Sequence, residues 1–285
     1  MPAPRILIAG CGDIGSRLAS QLLPHAWTVF GLRRSVGHLP SGVIGVCADL
    51  FDASLPAQWP EGPLDYLVYC ATPTERDEAG YRAAYVDGLR HVLDWTRRSG
   101  QRPKRLIFVS SSSVYGQQQG EWVDETSPTH AGGFSGEVML EAEQVALHSG
   151  FAASVVRLTG IYGPGRSDLM NRVRQGYSVA VSPPLYGNRI HADDAAGLLA
   201  FLLQSDAQGV PLDDCYIGVD DAPDPLAEVV DWMRQRLDVT QWSDETSIRR
   251  AGSKRCSNAR AKALGWTPRY PSYREGYEAM LEAQD

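Results

Sequence analysis

The chain has 285 residues and a net charge of −7, enough length to bury a substantial core as one large domain or as a domain with a smaller lobe. The acidic balance argues against nucleic acid or an anionic membrane surface as the main partner. No apolar run reaches the ~20 residues of a membrane span, and the five scattered cysteines form no Cys-x-x-Cys pair, which points to reduced thiols in a cytoplasmic protein with no disulfide frame or metal site.

From the N-terminus, short apolar runs predict strands at Arg5–Ala9, Thr28–Leu32, Ile44–Ala48, Asp65–Cys70, Arg105–Ser110 and Ala153–Leu158. They are continuous rather than alternating, as strands of a parallel sheet covered on both faces should be. Helical patterns over Gly15–Leu23, Ala79–Ser99 and Gly136–His148 separate most of them. The expected fold is α/β, a Rossmann-type doubly wound parallel sheet. After Leu158 the rhythm changes to Gly- and Pro-broken loops. Later elements are expected at Ala192–Leu203 (helix), Cys215–Val219 (strand), Leu226–Leu237 and Tyr273–Ala283 (helices). The predicted division is a dinucleotide-binding domain over residues 1–165 and a smaller C-terminal substrate lobe over 166–285, partly folded back on the sheet. The mixed-charge stretch Asp244-Glu245 to Arg249-Arg250 is expected to be solvated, and Asn258 is read as a helix cap beside Ser257. A dimer face, if the protein is not a monomer, is to be sought on the Ala79–Ser99 helix.

Ile8-Ala9-Gly10-Cys11-Gly12-Asp13-Ile14-Gly15 is a Gly-x-Gly-x-x-Gly loop between a strand and a helix. Gly10 allows the tight turn, Gly12 lets the backbone approach a pyrophosphate, and Gly15 permits close helix–strand packing. The helix start, through Asp13 and Ile14, offers N–H groups and a positive dipole end. At the end of the second strand an NAD site usually carries an acid for the ribose hydroxyls; here stand Arg33 and Arg34. Guanidinium groups suit a 2′-phosphate, so NADP is expected over NAD. Asp49 and Leu50 end the third strand and could meet the adenine edge; Ala71 and Thr72 follow the fourth and leave room for a cofactor. Both pairs read equally well as ordinary strand ends.

Beyond this loop, Phe108-Val109-Ser110-Ser111-Ser112-Ser113-Val114-Tyr115-Gly116, Arg157-Leu158-Thr159-Gly160-Ile161-Tyr162-Gly163-Pro164-Gly165-Arg166 and Asn188-Arg189-Ile190-His191-Ala192-Asp193-Asp194 follow in order. With them, the chain resembles the extended short-chain dehydrogenase/reductase superfamily in its epimerase/dehydratase branch, nearly end to end. The resemblance implies a nicotinamide cofactor and a small hydroxyl- or carbonyl-bearing substrate such as a sugar nucleotide. It assigns Ser111 to the reacting oxygen of the substrate. It also implies that the Ile-His-x-x-Asp block, with Asp193 and Asp194, is mainly structural.

That family carries Tyr-x-x-x-Lys, a proton-transferring phenol whose pKa is lowered by the lysine one helical turn away. Alignment on Val138-Met139-Leu140-Glu141 puts Gly133 in the Tyr slot and Glu137 in the Lys slot. Several readings stay open. Tyr115 or His130 replaces the tyrosine; Ser111 and water suffice, with Glu137 contacting ribose; the protein binds NADP as a catalytically silent sensor; or the slots have simply drifted. Tyr162, Arg166 and Arg189 are the candidate substrate contacts.

Overall fold

The computed structural model describes residues 3–243 and 253–283. The Asp244-Glu245 to Arg249-Arg250 stretch lies outside the described residues. The chain forms, in order, β1 (Arg5–Ala9), α1 (Asp13–Leu22), β2 (Thr28–Arg33), β3 (Ile44–Cys47), β4 (Tyr66–Tyr69), α2 (Glu78–Arg82), α3 (Gly88–Arg98) and β5 (Arg105–Ser111). There follow β6 (Glu121–Val123), α4 (Phe134–Leu147), β7 (Ala153–Leu158), β8 (Gly160–Tyr162), α5 (Asp168–Arg174), β9 (Arg189–His191) and α6 (Ala192–Ala207). The last elements are β10 (Cys215–Gly218), α7 (Leu226–Arg236), β11 (Lys254–Cys256), α8 (Ala259–Leu264) and α9 (Tyr273–Glu282).

Seven strands form one sheet in the order β10-β7-β5-β4-β1-β2-β3. The pairings β1–β2, β2–β3, β1–β4 and β4–β5 are parallel. β4 and β7 are buried along their whole length, which accounts for the continuous apolar sequence of β4 and the mostly apolar one of β7. Strand order reverses between β1 and β4, and in such sheets ligands sit outside the carboxyl ends of the strands at that reversal.

The expected helix over Ala79–Ser99 forms in three parts: α2, a π turn at Ala83–Asp87, and α3. A π turn inserts one residue into the helical ladder, a change that no apolar periodicity announces.

Contacts divide the chain into two compact units. The first gathers Met1–Val114, Ala131–Arg157 and Ala196–Tyr216; the second gathers Tyr115–His130, Leu158–Ala195 and Ile217–Asp285. The sequence places a single cut after residue 165; here the chain instead crosses between the units several times. The physical reason is that most of α6 and the start of β10 pack with the sheet, although they come late in the chain. The second unit carries two small sheets, β6–β11 and β8–β9. Its core includes Tyr162, Met170, Val230, Met233, Tyr277 and Met280.

One buried ion pair ties α4 to the first unit's sheet. Arg157 on β7 donates from Nε to Glu143 Oε1 at 2.9 Å and from Nη2 to Oε2 at 2.7 Å. Ser110 on β5 donates to the same Oε1 at 2.6 Å. Removing one partner of a buried pair leaves an uncompensated charge. Glu143→Ala should therefore cost about 3–5 kcal/mol in urea unfolding, whereas the double change Glu143→Leu with Arg157→Met should recover most of that loss. Near-equal stability of Glu143→Ala and the native chain would contradict this account.

Candidate nicotinamide-dinucleotide site

The glycine loop has the geometry its sequence suggests. Gly10 has φ +82°, and a Cβ there would come 2.5 Å from the backbone of Ala71, so the loop lies directly on the end of β4. The N–H groups of Gly10 and Cys11 both donate to Leu32 O, which seats the loop on the end of β2. A Cβ on Gly15 would meet Ile8 Cγ2 at 3.0 Å and Cys70 Sγ at 3.2 Å, which brings α1 close against β1 and β4. At Gly12 a Cβ would meet only Gly10 O, at 3.9 Å, so that side of the loop is open. α1 begins at Asp13 with no side-chain cap on its first turn. An open backbone face at an uncapped helix start fits the pyrophosphate of a dinucleotide.

Around the loop, Arg33 ends β2 half-buried, and its Nη1 reaches Cys11 O at 3.4 Å. Arg34 beside it is exposed. Asp49 is exposed, and its Oδ1 accepts from Phe51 N at 3.1 Å; Leu50 O is paired with His91 Nδ1 at 2.8 Å. Thr72 is exposed where the chain leaves β4. Thus Gly10, Gly12, Asp13, Ile14, Gly15, Arg33 and Ala71 gather around one loop in the first unit.

Ser111 closes β5 half-buried, and its Oγ accepts from Ser113 N at 3.2 Å, which leaves the hydroxyl proton to donate elsewhere. The neighbouring Ser110 points into the core and is spent on Glu143. α4 starts just after Gly133, and Glu137 sits exposed in its first turn. A Cβ on Gly136 would meet Ser113 O at 2.5 Å, so the start of α4 lies tight on the turn after β5.

The other candidates lie as follows. Tyr115 is buried; its hydroxyl donates to Asp124 O at 2.8 Å, and its carbonyl accepts from Lys254 Nζ at 2.9 Å. His130 is exposed, and its carbonyl lies against Gly116. Tyr162 is buried in the core of the second unit, 4.4 Å from the Tyr277 ring and 5.4 Å from His191. Burial pushes its phenol far above the usual value. Arg166 is half-buried, and its N–H donates to Gly163 O at 2.8 Å. Asn258 does not cap α8: its Nδ2 donates to Val219 O and Asp221 Oδ1, and Ser257 Oγ accepts from Ala259 N instead. Asp194 accepts from the N–H groups of Arg269 and Tyr270 at 2.7 and 2.9 Å, a structural anchor for the chain before α9.

Two groupings carry no motif in the sequence. In the first unit, Tyr81 and Tyr85 stand one turn apart with ring centres 5.4 Å apart, and Tyr81 meets Phe134 edge-on at 5.5 Å. Their only sequence signal is an i, i+4 spacing. In the second unit, Arg189 and Asp220 are buried polar residues. Arg189 Nη1, Asp220 Oδ2 and the Tyr273 hydroxyl have no hydrogen-bond partner among the described residues. Burial pushes the Asp220 carboxyl up to about 7, while the Arg189 guanidinium pulls it down.

A folded-state pKa above the unfolded value favours the protonated carboxyl in the fold. The resulting stability is present below about pH 4 and is lost as pH rises through about 7. Asp220→Asn should flatten the fall in melting temperature between pH 5 and 8; parallel curves for the two proteins would refute a raised Asp220.

Residues 6–218 match the family described as NAD dependent epimerase/dehydratase. A structure from Methylobacillus flagellatus, named for the NAD-dependent epimerase/dehydratase class, is 36% identical with a TM-score of 0.80, covering 99% of this chain and 98% of that one. The 3-diazoavenalumate denitrifying reductase of a Streptomyces species is 27% identical, over 95% of this chain and 98% of that protein. The UDP-glucose 4-epimerase of Thermus thermophilus, solved in complex with NAD, is 18% identical with a TM-score of 0.80 and 98% coverage of both chains; at that identity the likeness carries the fold alone.

Proposed function

The chain belongs to the NAD dependent epimerase/dehydratase family, and on that premise we propose that it is an NADP-preferring oxidoreductase of atypical active site. The observation that carries this is the open, uncapped glycine loop with the Arg33 guanidinium reaching its Cys11 carbonyl. The loop backbone holds the pyrophosphate. Arg33 and Arg34, in place of an acid, hold a 2′-phosphate. A bound nicotinamide dinucleotide supplies hydride exchange. Ser111, with its hydroxyl proton available, donates to the oxygen of the reacting carbonyl.

The substrate we infer is a small hydroxyl- or carbonyl-bearing molecule, a sugar nucleotide being one class. The whole-length likeness to a protein named as a reductase favours reduction as the working direction. Cysteines outside any disulfide suit a reducing cytoplasm. A second reading, a catalytically silent NADP-binding sensor, is favoured by one observation: Gly133 has no side chain, and Glu137 faces solvent.

Two variants test these readings. A charge-assisted hydrogen bond contributes ~1.5–3 kcal/mol, so Arg33→Ala should weaken NADP binding by roughly 10- to 100-fold and NAD binding little. Equal losses for the two dinucleotides would overturn the NADP preference. Ser111→Ala should leave dinucleotide affinity within about twofold and abolish most NADPH oxidation by a carbonyl panel. The absence of any oxidation by the native protein across that panel, despite tight NADPH binding, would favour the sensor.

A further inference from the structure

We propose that Tyr81, from the helix that follows β4, supplies the proton-donating phenol that Gly133 cannot. The proposal rests on the reading of the chain as a nicotinamide-dependent reductase and names the acid of that same site.

The helix containing Tyr81 is firmly seated. The Tyr69 hydroxyl at the end of β4 donates to Ala84 O at 2.5 Å, and a Cβ on Gly88 would collide with that same hydroxyl. The chain from α2 to α3 therefore runs directly over the end of β4, beside the point where strand order reverses. Asp77 caps α2 by accepting from Gly80 N at 2.8 Å, which fixes the first turn just before Tyr81. From there the Tyr81 ring meets Phe134 edge-on at 5.5 Å, next to Gly133. The side chain of Tyr81 thus packs on Phe134, the neighbour in sequence of the residue where the resemblance expects a tyrosine, and the space at the Gly133 Cβ position is open.

Elimination points the same way. The first unit holds five tyrosines. The hydroxyl of Tyr66 is spent on Asp206, that of Tyr69 on Ala84 O, and that of Tyr216 accepts from Asp213 N. No hydrogen bond holds the hydroxyls of Tyr81 and Tyr85 among the described residues, and both side chains are half-buried. Tyr85 lies within the π turn, the kind of helical insertion that often re-aims side chains at functional sites. Burial pushes its phenol up to about 12, so Tyr85 remains a neutral neighbour.

The step balances as a carbonyl reduction. The carbonyl carbon receives the hydride of a reduced nicotinamide dinucleotide, and the C=O π pair moves to oxygen. That oxygen takes the Tyr81 phenolic proton, and the phenolate recovers a proton from water. One reduced dinucleotide and one proton are consumed for each alcohol formed.

The test uses the full chain with tyrosine labelled by carbon-13 at Cζ, whose NMR shift reports phenol ionisation. Tyr81→Phe and Tyr85→Phe assign the two resonances and keep the aromatic packing. Titrations are run with NADP+ and with NADPH, and binding of each is measured by calorimetry. A positive nicotinamide ring within about 4–6 Å lowers a phenol pKa by roughly one unit or more, so Tyr81 should titrate at lower pH with NADP+ than with NADPH. Identical Tyr81 titration in the two complexes overturns the proposal, as does a response confined to Tyr85. Failure of both dinucleotides to bind would instead sink the cofactor reading, and this proposal with it. As a second readout, Tyr81→Phe should lower any measured carbonyl reduction by ~10²-fold or more with unchanged NADPH affinity.

Discussion

The buried contact between Glu143 and Arg157, shared with Ser110, is the constraint on which the geometry of the first unit turns. Through it α4 is bonded to β7 by a two-pronged ion pair and to β5 by a hydroxyl. The pair is expensive to desolvate, and its lasting value is orientation, since a bidentate guanidinium–carboxylate contact fixes both position and rotation. The consequence reaches the other end of the helix. With Glu143 fixed, the start of α4 at Phe134 is held against the turn after β5, where Gly136 leaves no room for a side chain. The start of α4 is therefore kept in place whatever stands at residues 133 and 137, here Gly133 and Glu137.

The cofactor side of the site is built mostly from backbone. The tight turn at Gly10, the exposed face at Gly12 and the helix start at Asp13 depend on the absence of side chains. Such a site is legible in sequence, because three glycines at fixed spacing between a strand and a helix serve few purposes besides close approach to a phosphate. The strands are legible for a related reason: sheets covered on both faces disfavour polar residues, so β1 and β4 stand out as apolar runs, and the few polar residues of β5 and β7, such as Ser110 and Arg157, are buried with partners.

The proton-transfer side is not legible, and the reasons are physical. A single tyrosine or arginine in a sequence does not disclose whether its polar end meets solvent or a buried partner. Tyr115 in Val-Tyr-Gly reads as available, yet its hydroxyl is spent on Asp124 O. Tyr162 reads equally well as a cleft or a core residue, and it is buried in the core of the second unit. Asn258 stands at a helix start but bonds backward to Val219 and Asp221. Each outcome depends on contacts distant in the chain or on the direction of a side chain, neither of which local pattern encodes. The same holds for the boundary between the units, since residues 196–216 pack with strands laid down far earlier.

The proposed alignment, with Glu137 in the family's lysine slot, has a chemical consequence of its own. A cation one turn from a phenol stabilises phenolate and lets one group serve as base in oxidation and as acid in reduction. Glu137 supplies no such cation, and burial pushes the Tyr85 phenol up to about 12. The Tyr85 phenol thus stays protonated across the physiological range and accepts a proton poorly. Alcohol oxidation needs a base, whereas carbonyl reduction needs only a donor. An epimerase must do both within one catalytic cycle, taking a proton and returning it. On the proposed alignment, Gly133 and Glu137 are thus harder to reconcile with epimerisation than with one-way reduction, the direction in which hydride and proton are both delivered to substrate.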